Sequence, residues 1–222
     1  MNRGEIRTMA SRLVEDPSST KFSVVVVNDS IDKANKQFSL DSKALYKDSA
    51  ITMVSGTAAY SLPTDFMYEK EVTLNGIKLD PISRATLQSF KTSDKWSDDE
   101  GTPKYFVIDP EENRKTITLY PKPSNTDDGT AIVLTYYPVP VTMTADSDVP
   151  LNSSSLMVQF HTGLAHYAAW LLLGYITQTA EIAQKRAGFQ KEYQDKVAEA
   201  IQTFGNTKSE SLRFHVDNVR VR

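Results

Sequence analysis

His161 and His166 are, by residue type, the side chains best suited to metal binding or acid–base work, and their spacing argues against both. Five residues apart on an apolar helical stretch, they miss the four-residue interval of a helical metal pair, and neither a cysteine nor a local carboxylate completes a ligand set. They read as structural histidines. His215, near the C-terminus, has no base or ligand beside it in sequence. The acidic group Asp94, Asp98, Asp99 and Glu100 and the run Asp127-Asp128-Gly129 supply oxygen atoms without the regular alternation of a calcium loop. Both read as solvated loop charge. There is no phosphate-cradling glycine loop followed by Lys-Ser or Lys-Thr, and no Gly-x-Ser-x-Gly nucleophile elbow. No clustered carboxylate pair of the hydrolytic kind stands out either. The expectation is a protein without enzymatic activity, metal or cofactor.

The aromatic residues Tyr60, Tyr68, Tyr105, Phe106, Tyr120, Tyr136 and Tyr137 fall mostly on alternating positions, as packing in strands requires. A glycan or nucleic-acid platform also uses aromatics on a sheet, but it interleaves them with basic residues that are missing here. Net charge is -3, from 25 basic and 28 acidic residues, so a broad basic face for duplex DNA is not indicated. The basic residues Lys208, Arg213, Arg220 and Arg222 gather at the C-terminus, a pattern more usual in a docking or solubilising terminus than in a nucleic-acid reader. Cysteine is absent, which excludes disulfide staples and thiolate chemistry and makes cytosolic folding the natural reading. Met1 to Ser11 has no signal-peptide character, and the longest apolar run, Ala168 to Leu173, is far too short to cross a bilayer.

The elements that position these residues change period twice. Asn2 with Glu5 three residues later forms a capping-box pattern, and Ile6, Met9, Ala10, Leu13 and Val14 follow on one helical face until Pro17. A second helix is expected from about Ser23 to Tyr46 on the spacing of Val24, Val27, Ile31, Ala34 and Phe38; a buried Val24 to Val27 strand followed by a shorter helix from Asp29 is the alternative. From Ser49 the period becomes two. Ile51 and Met53, then Tyr60 and Leu62, alternate around Ser55-Gly56 as a hairpin or as two strands with a loop between them. Tyr68 to Leu74, the Asn75-Gly76 hairpin signal and Ile77 with Leu79 come next, then a helical turn over Ser83 to Phe90. Strands follow at Tyr105 to Ile108, Thr116 to Tyr120 and Ala131 to Tyr137, with a turn at Asp109 to Asn113.

Pro138 to Pro150 returns the chain to helix, with Asn152 or Ser153 as candidate caps. Leu156, Phe160, Leu164, Tyr167, Leu171 and Tyr175 recur at three and four, and the stripe is broad enough to be buried on more than one side, so these six are the expected subunit interface. After a break at Gly174 to Thr179, a last helix from Ala180 to Phe204 carries Ile182, Phe189, Tyr193, Val197, Ile201 and Phe204 on one face, with Gly205-Asn206 as its stop. The fold class is α+β. Residues 1–48 and 146–205 form a helical body, 49–145 an inserted antiparallel β-sandwich or barrel, and 206–222 a flexible, extended tail.

The order of these features resembles the head-to-tail adaptor, or connector, proteins of tailed bacteriophages. The likeness is carried by Glu5 to Leu13 with Asp16-Pro17-Ser18, Ser55-Gly56-Thr57 to Tyr60-Ser61-Leu62-Pro63-Thr64-Asp65-Phe66, and Leu74-Asn75-Gly76-Ile77-Lys78-Leu79. It continues through Gly101-Thr102-Pro103-Lys104-Tyr105, Leu119-Tyr120-Pro121-Lys122-Pro123, Thr135-Tyr136-Tyr137 and the two-helix ending, over about residues 4 to 204. The resemblance implies a virion protein made in the host cytoplasm and placed in the neck between capsid portal and tail. It further implies a homo-oligomeric ring, usually of twelve copies, that touches portal and tail or nozzle proteins and no membrane, with genomic DNA passing through its lumen. By the same resemblance, Lys208, Arg213, Phe214, Val216, Arg220 and Arg222 would dock on the portal. A tail-side ring (terminator, stopper or gatekeeper) is the competing expectation, and a glycan-binding virion module a third.

Overall fold

The computed structural model describes residues 1–89, 98–108, 115–151, 155–177 and 179–217. They divide into two compact units. One is formed by Met1–Leu45 with Pro140–Arg222, the other by Tyr46–Val139. The turn expected at Asp109 to Asn113 and the caps expected at Asn152 and Ser153 lie outside the described residues.

The first unit is helical. Helix α1 (Arg3–Leu13) opens on the full capping box: the Glu5 N–H donates to Asn2 Oδ1 and the Asn2 N–H to Glu5 Oε2, each at 2.9 Å. Two more of its first amides donate to the backbone carbonyls of Asp146 and Asp148, which satisfies groups that a helix start leaves open. Beyond the helix, Asp16 closes the turn. Its carboxylate accepts from the Thr20 N–H and hydroxyl and from the Lys21 and Phe22 N–H groups, at 2.8 to 3.0 Å.

Helix α2 (Val24–Ser42) settles the valine run as helix, with Ser23 as its N-cap. The core takes Val27, Ile31, Ala34 and Phe38, all 0–1% exposed. Val24 does not join them. It is 44% exposed.

The single long helix expected after Pro150 starts differently. A 3₁₀ stretch over Ser155–Phe160 precedes helix α4 (His161–Leu173). Three residues per turn eclipse Met157 and Phe160, and both are fully buried. Helix α5 (Ala180–Asp217) presents Tyr193, Val197 and Ala200 to the core, with Phe189 and Phe204 packed at its margin. Ile201, expected on this face, is 49% exposed; the 4-3-4 spacing of 193, 197, 200 and 204 selects Ala200 instead. The stop expected at Gly205-Asn206 also fails, since the helix runs on to Asp217. One interior glycine costs a helix only about 1 kcal/mol against alanine, too little to end it.

The second unit is a sandwich of two four-stranded sheets. Strands β1 (Lys47–Thr52), β2 (Ala59–Ser61), β3 (Phe66–Leu74), β4 (Ile77–Lys78), β5 (Asp80–Pro81), β6 (Tyr105–Ile108), β7 (Thr116–Tyr120) and β8 (Ala131–Pro138) form it, with a short helix α3 (Arg84–Ser89). The sheet orders are β1-β8-β3-β4 and β2-β7-β6-β5. All pairs are antiparallel except β5 with β6. Its core draws Val72, Leu74, Ile132, Leu134 and Tyr136 from one sheet and Phe106, Ile117 and Leu119 from the other. Asn75 (φ 50°) and Gly76 (φ 77°) make the tight turn between β3 and β4, both in the left-handed region that such turns require. Around Ser55-Gly56 there is no hairpin: β1 pairs with β8 and β2 with β7, so the two strands belong to different sheets.

Candidate functional site

The two helix α4 histidines are packing residues. His161 is fully buried, and burial pushes its pKa down to about 4. Its Nδ1 lies 3.0 Å from the Met1 amino nitrogen. His166 is stacked on Phe189 with ring centroids 6.0 Å apart, and burial lowers its pKa too. Both rings are therefore neutral at pH 7. Each keeps one buried ring nitrogen without a hydrogen bond, Nε2 in His161 and Nδ1 in His166. His215 falls within the span of helix α5.

The acidic loops are used for closure. Asp127 is 9% exposed and accepts from the Thr102 hydroxyl and from the N–H and hydroxyl of Ser124. Asp128 accepts the Ser55 N–H at 2.9 Å, Asp99 accepts the Tyr120 hydroxyl at 2.8 Å, and Glu100 pairs with Lys122 at 3.2 Å. Asp94 lies outside the described residues. Among the described residues, no group of three or more His, Asp or Glu side chains is placed to hold a metal ion, and no helix is long and apolar enough to cross a membrane.

The aromatics divide by position. Phe106 and Tyr136 are in the sandwich core. Tyr105 and Tyr120 form a cross-strand pair with centroids 6.3 Å apart. The Tyr60 hydroxyl staples the turn before β2, donating to the Thr57 carbonyl at 2.7 Å and accepting the Val54 N–H at 3.0 Å. Tyr68 and Tyr137 face each other across β3 and β8, and the Lys70 ammonium sits over the Tyr46 ring and within 5.9 Å of the Tyr137 centroid.

Of the six residues expected at a subunit interface, Phe160 and Leu164 are fully buried within the protomer. Phe160 packs in tilted contact with Phe38 and Phe204. Tyr167 and Leu171 are half-buried, Tyr167 against Tyr193 with centroids 4.6 Å apart. Tyr175 stands clear, at 61% exposed, alone among the five whose side chains are described. The side chain of Leu156 lies outside what the structure describes. The breadth of the stripe reflects burial against three helices of the same chain: α4 packs on α1, α2 and α5. Lys208, Arg213, Phe214 and Val216 belong to the span of helix α5, and Arg220 and Arg222 lie outside the described residues.

A further open surface lies on α2. Val26, 37% exposed, opens onto a groove of about 630 Å³ lined also by Lys21, Phe22, Asp29, Lys33, Tyr175 and Ile176. The signal was present in the sequence: of four consecutive valines on a helix, a single core face can take only one or two. A second groove, of about 530 Å³, lies along α1 between Glu5, Thr8, Met9, Arg12 and Leu13. Such surfaces can bind other proteins without catalysing anything.

No curated protein matches the sequence. The model of one family, described as SU10 adaptor protein, matches residues 1–217, nearly the whole chain, and the chain belongs to this family of phage adaptor proteins.

Proposed function

We propose that this adaptor is a structural, non-enzymatic component of the virion neck. It forms a ring of twelve copies that joins the portal to the tail and continues the DNA channel. The observation that carries the reading is the chain-wide family match, in which helical and β regions together fall within one adaptor family. A family match confined to the sandwich would speak only for that module.

On this reading the helical unit builds the ring and meets the portal, while the β unit faces the tail. A ring needs one heterologous contact repeated until the rotation closes. The C-terminal stretch with Lys208, Arg213, Phe214, Val216, Arg220 and Arg222 docks on the portal. DNA passes through without sequence-specific contacts, consistent with a net charge of only -3.

Electron microscopy of assembled particles tests the reading. A twelvefold ring of this chain between portal and tail supports it. A sixfold ring farther down the tail reassigns the chain to a tail-side role, and absence from the particle removes the reading altogether.

A further inference from the structure

The helical unit carries two apolar grooves that the described residues leave open, and their positions differ in a useful way. Arg3 and Arg7 on α1 reach Asp32 and Asn28 on α2, each at 3.4 Å, so this side of α1 faces α2. At 3.6 residues per turn, Glu5, Thr8, Met9 and Arg12 sit on the opposite side of α1. On α2, Val26, Asp29 and Lys33 share a stripe turned well away from Asn28 and Asp32. The α1 groove and the α2 groove therefore flank the helix pair on two different sides. One copy cannot bring them together, but two copies can.

Their charges correspond. The α2 groove carries Lys21, Asp29 and Lys33 around Phe22, Val26, Tyr175 and Ile176. The α1 groove carries Glu5 and Arg12 around Met9 and Leu13. Arg12, Lys21, Asp29 and Lys33 are exposed and make no ion pair among the described residues. An approach that sets Arg12 of one copy against Asp29 of the next, with Glu5 toward the two lysines, pairs opposite signs and covers both apolar linings.

We infer that the α2 groove around Val26 and Tyr175 receives the Met9 and Arg12 face of α1 from a second copy, giving a head-to-tail contact. The inference rests on the reading of the chain as a ring protein and supplies the contact that the ring requires. The two patches are different, so the contact is heterologous and repeats from copy to copy. Shape and apolar area give it affinity, and the charges select register and suppress wrong pairings.

The chain has no cysteine, so introduced thiols report on one pair alone. The experiment compares full-length Met9→Cys, Val26→Cys and the double variant under mild oxidation, with mass measured in parallel under reducing conditions. A disulfide ladder beyond the dimer in the double variant, absent from either single variant, supports the contact. Reduced multimers without a ladder overturn it and leave the ring reading standing. A chain that stays monomeric at every concentration and forms no ladder overturns both. Charge reversal gives a second readout on exposed positions that leave folding intact: Arg12→Glu and Asp29→Lys each weaken self-association at least tenfold, and the pair together restores it. Failure of the double reversal to restore association overturns the proposed register.

Discussion

Tyr136 donates its hydroxyl to Oδ1 of Asp65 at 2.7 Å, and the Lys47 ammonium takes the other carboxylate oxygen at 2.8 Å. The Asp65 carbonyl in turn accepts the Val139 N–H at 2.7 Å. One aspartate thus ties the loop after Pro63 to β1, to β8 and to the residue that follows β8. Burial, followed by the Asp65 carboxylate, pushes Tyr136 up to about 12. Burial would raise Asp65 as well, but hydrogen bonds from Lys47 and Tyr136 outweigh it and hold the carboxyl below its usual range.

Tyr136 should therefore ionise about two pH units above an ordinary tyrosine, as read by ultraviolet difference absorbance across an alkaline titration. Because its folded pKa is raised, its contribution is complete below about pH 10 and is lost as pH rises through about 12. Tyr136→Phe should lower stability by about 1 kcal/mol at neutral pH and remove the late step of the titration. If the late step persists in the variant, the assignment is wrong.

Asp16 makes the opposite prediction. Burial would raise its carboxyl, but hydrogen bonds from Phe22, Thr20 and Lys21 prevail and lower it. A depressed carboxyl contributes fully above its unfolded value of about 3.9 and loses the contribution as pH falls toward the folded one. Asp16→Asn should lower the melting temperature near neutrality and flatten its fall below about pH 4. Parallel acid limbs for variant and parent would refute this.

What the sequence made legible was mainly local. The Asn2 and Glu5 capping box and the Asn75-Gly76 turn are each decided within four residues, and both formed as read. The α+β class followed from the change of period at Ser49 and back after Pro138. Choices that depend on distant partners were not legible. Nothing near Ser55 announces that β1 seeks β8 and β2 seeks β7, some 80 and 60 residues away in sequence. The apolar stripe of α4 was similarly ambiguous, because a helix covered by three neighbours of its own chain and one covered by another subunit have the same composition. Tyr175 lies on the same stripe as Phe160 and Leu164, yet it is exposed and they are buried.

Gly163 marks the close approach of two helices. A Cβ placed there would lie 3.0 Å from Lys196 Cβ and 3.8 Å from the Phe38 ring. Alanine requires the α5 backbone or Lys196 to yield slightly, whereas Gly163→Val must separate α4 from α5 and should cost about 1–3 kcal/mol. Chemical denaturation measures it. A valine variant as stable as the parent would show that α5 does not seat against α4 at this position.

The last prediction concerns the far part of α5. Among the α5 residues whose side chains are described, Tyr193, Val197 and Ala200 are buried and Phe204 is partly buried. Tyr193 also donates its hydroxyl to Asp41 of α2 at 2.7 Å, and Arg186 lies over the Trp170 ring, so the anchoring of α5 to the unit is in place before Phe204. Truncation after Phe204 should therefore leave a folded protein whose circular dichroism loses only the signal of the removed turns. If Lys208, Arg213, Phe214 and Val216 dock on the portal, the same truncation should abolish capture of the chain by portal-bearing heads. Self-association through the α1 and α2 grooves should persist, because none of the described residues lining either groove lies beyond Ile176. The two functions should thus separate in one variant. Pull-down of the truncated chain at full-length affinity would sink the docking assignment, and simultaneous loss of self-association would place the subunit contact on α5 instead.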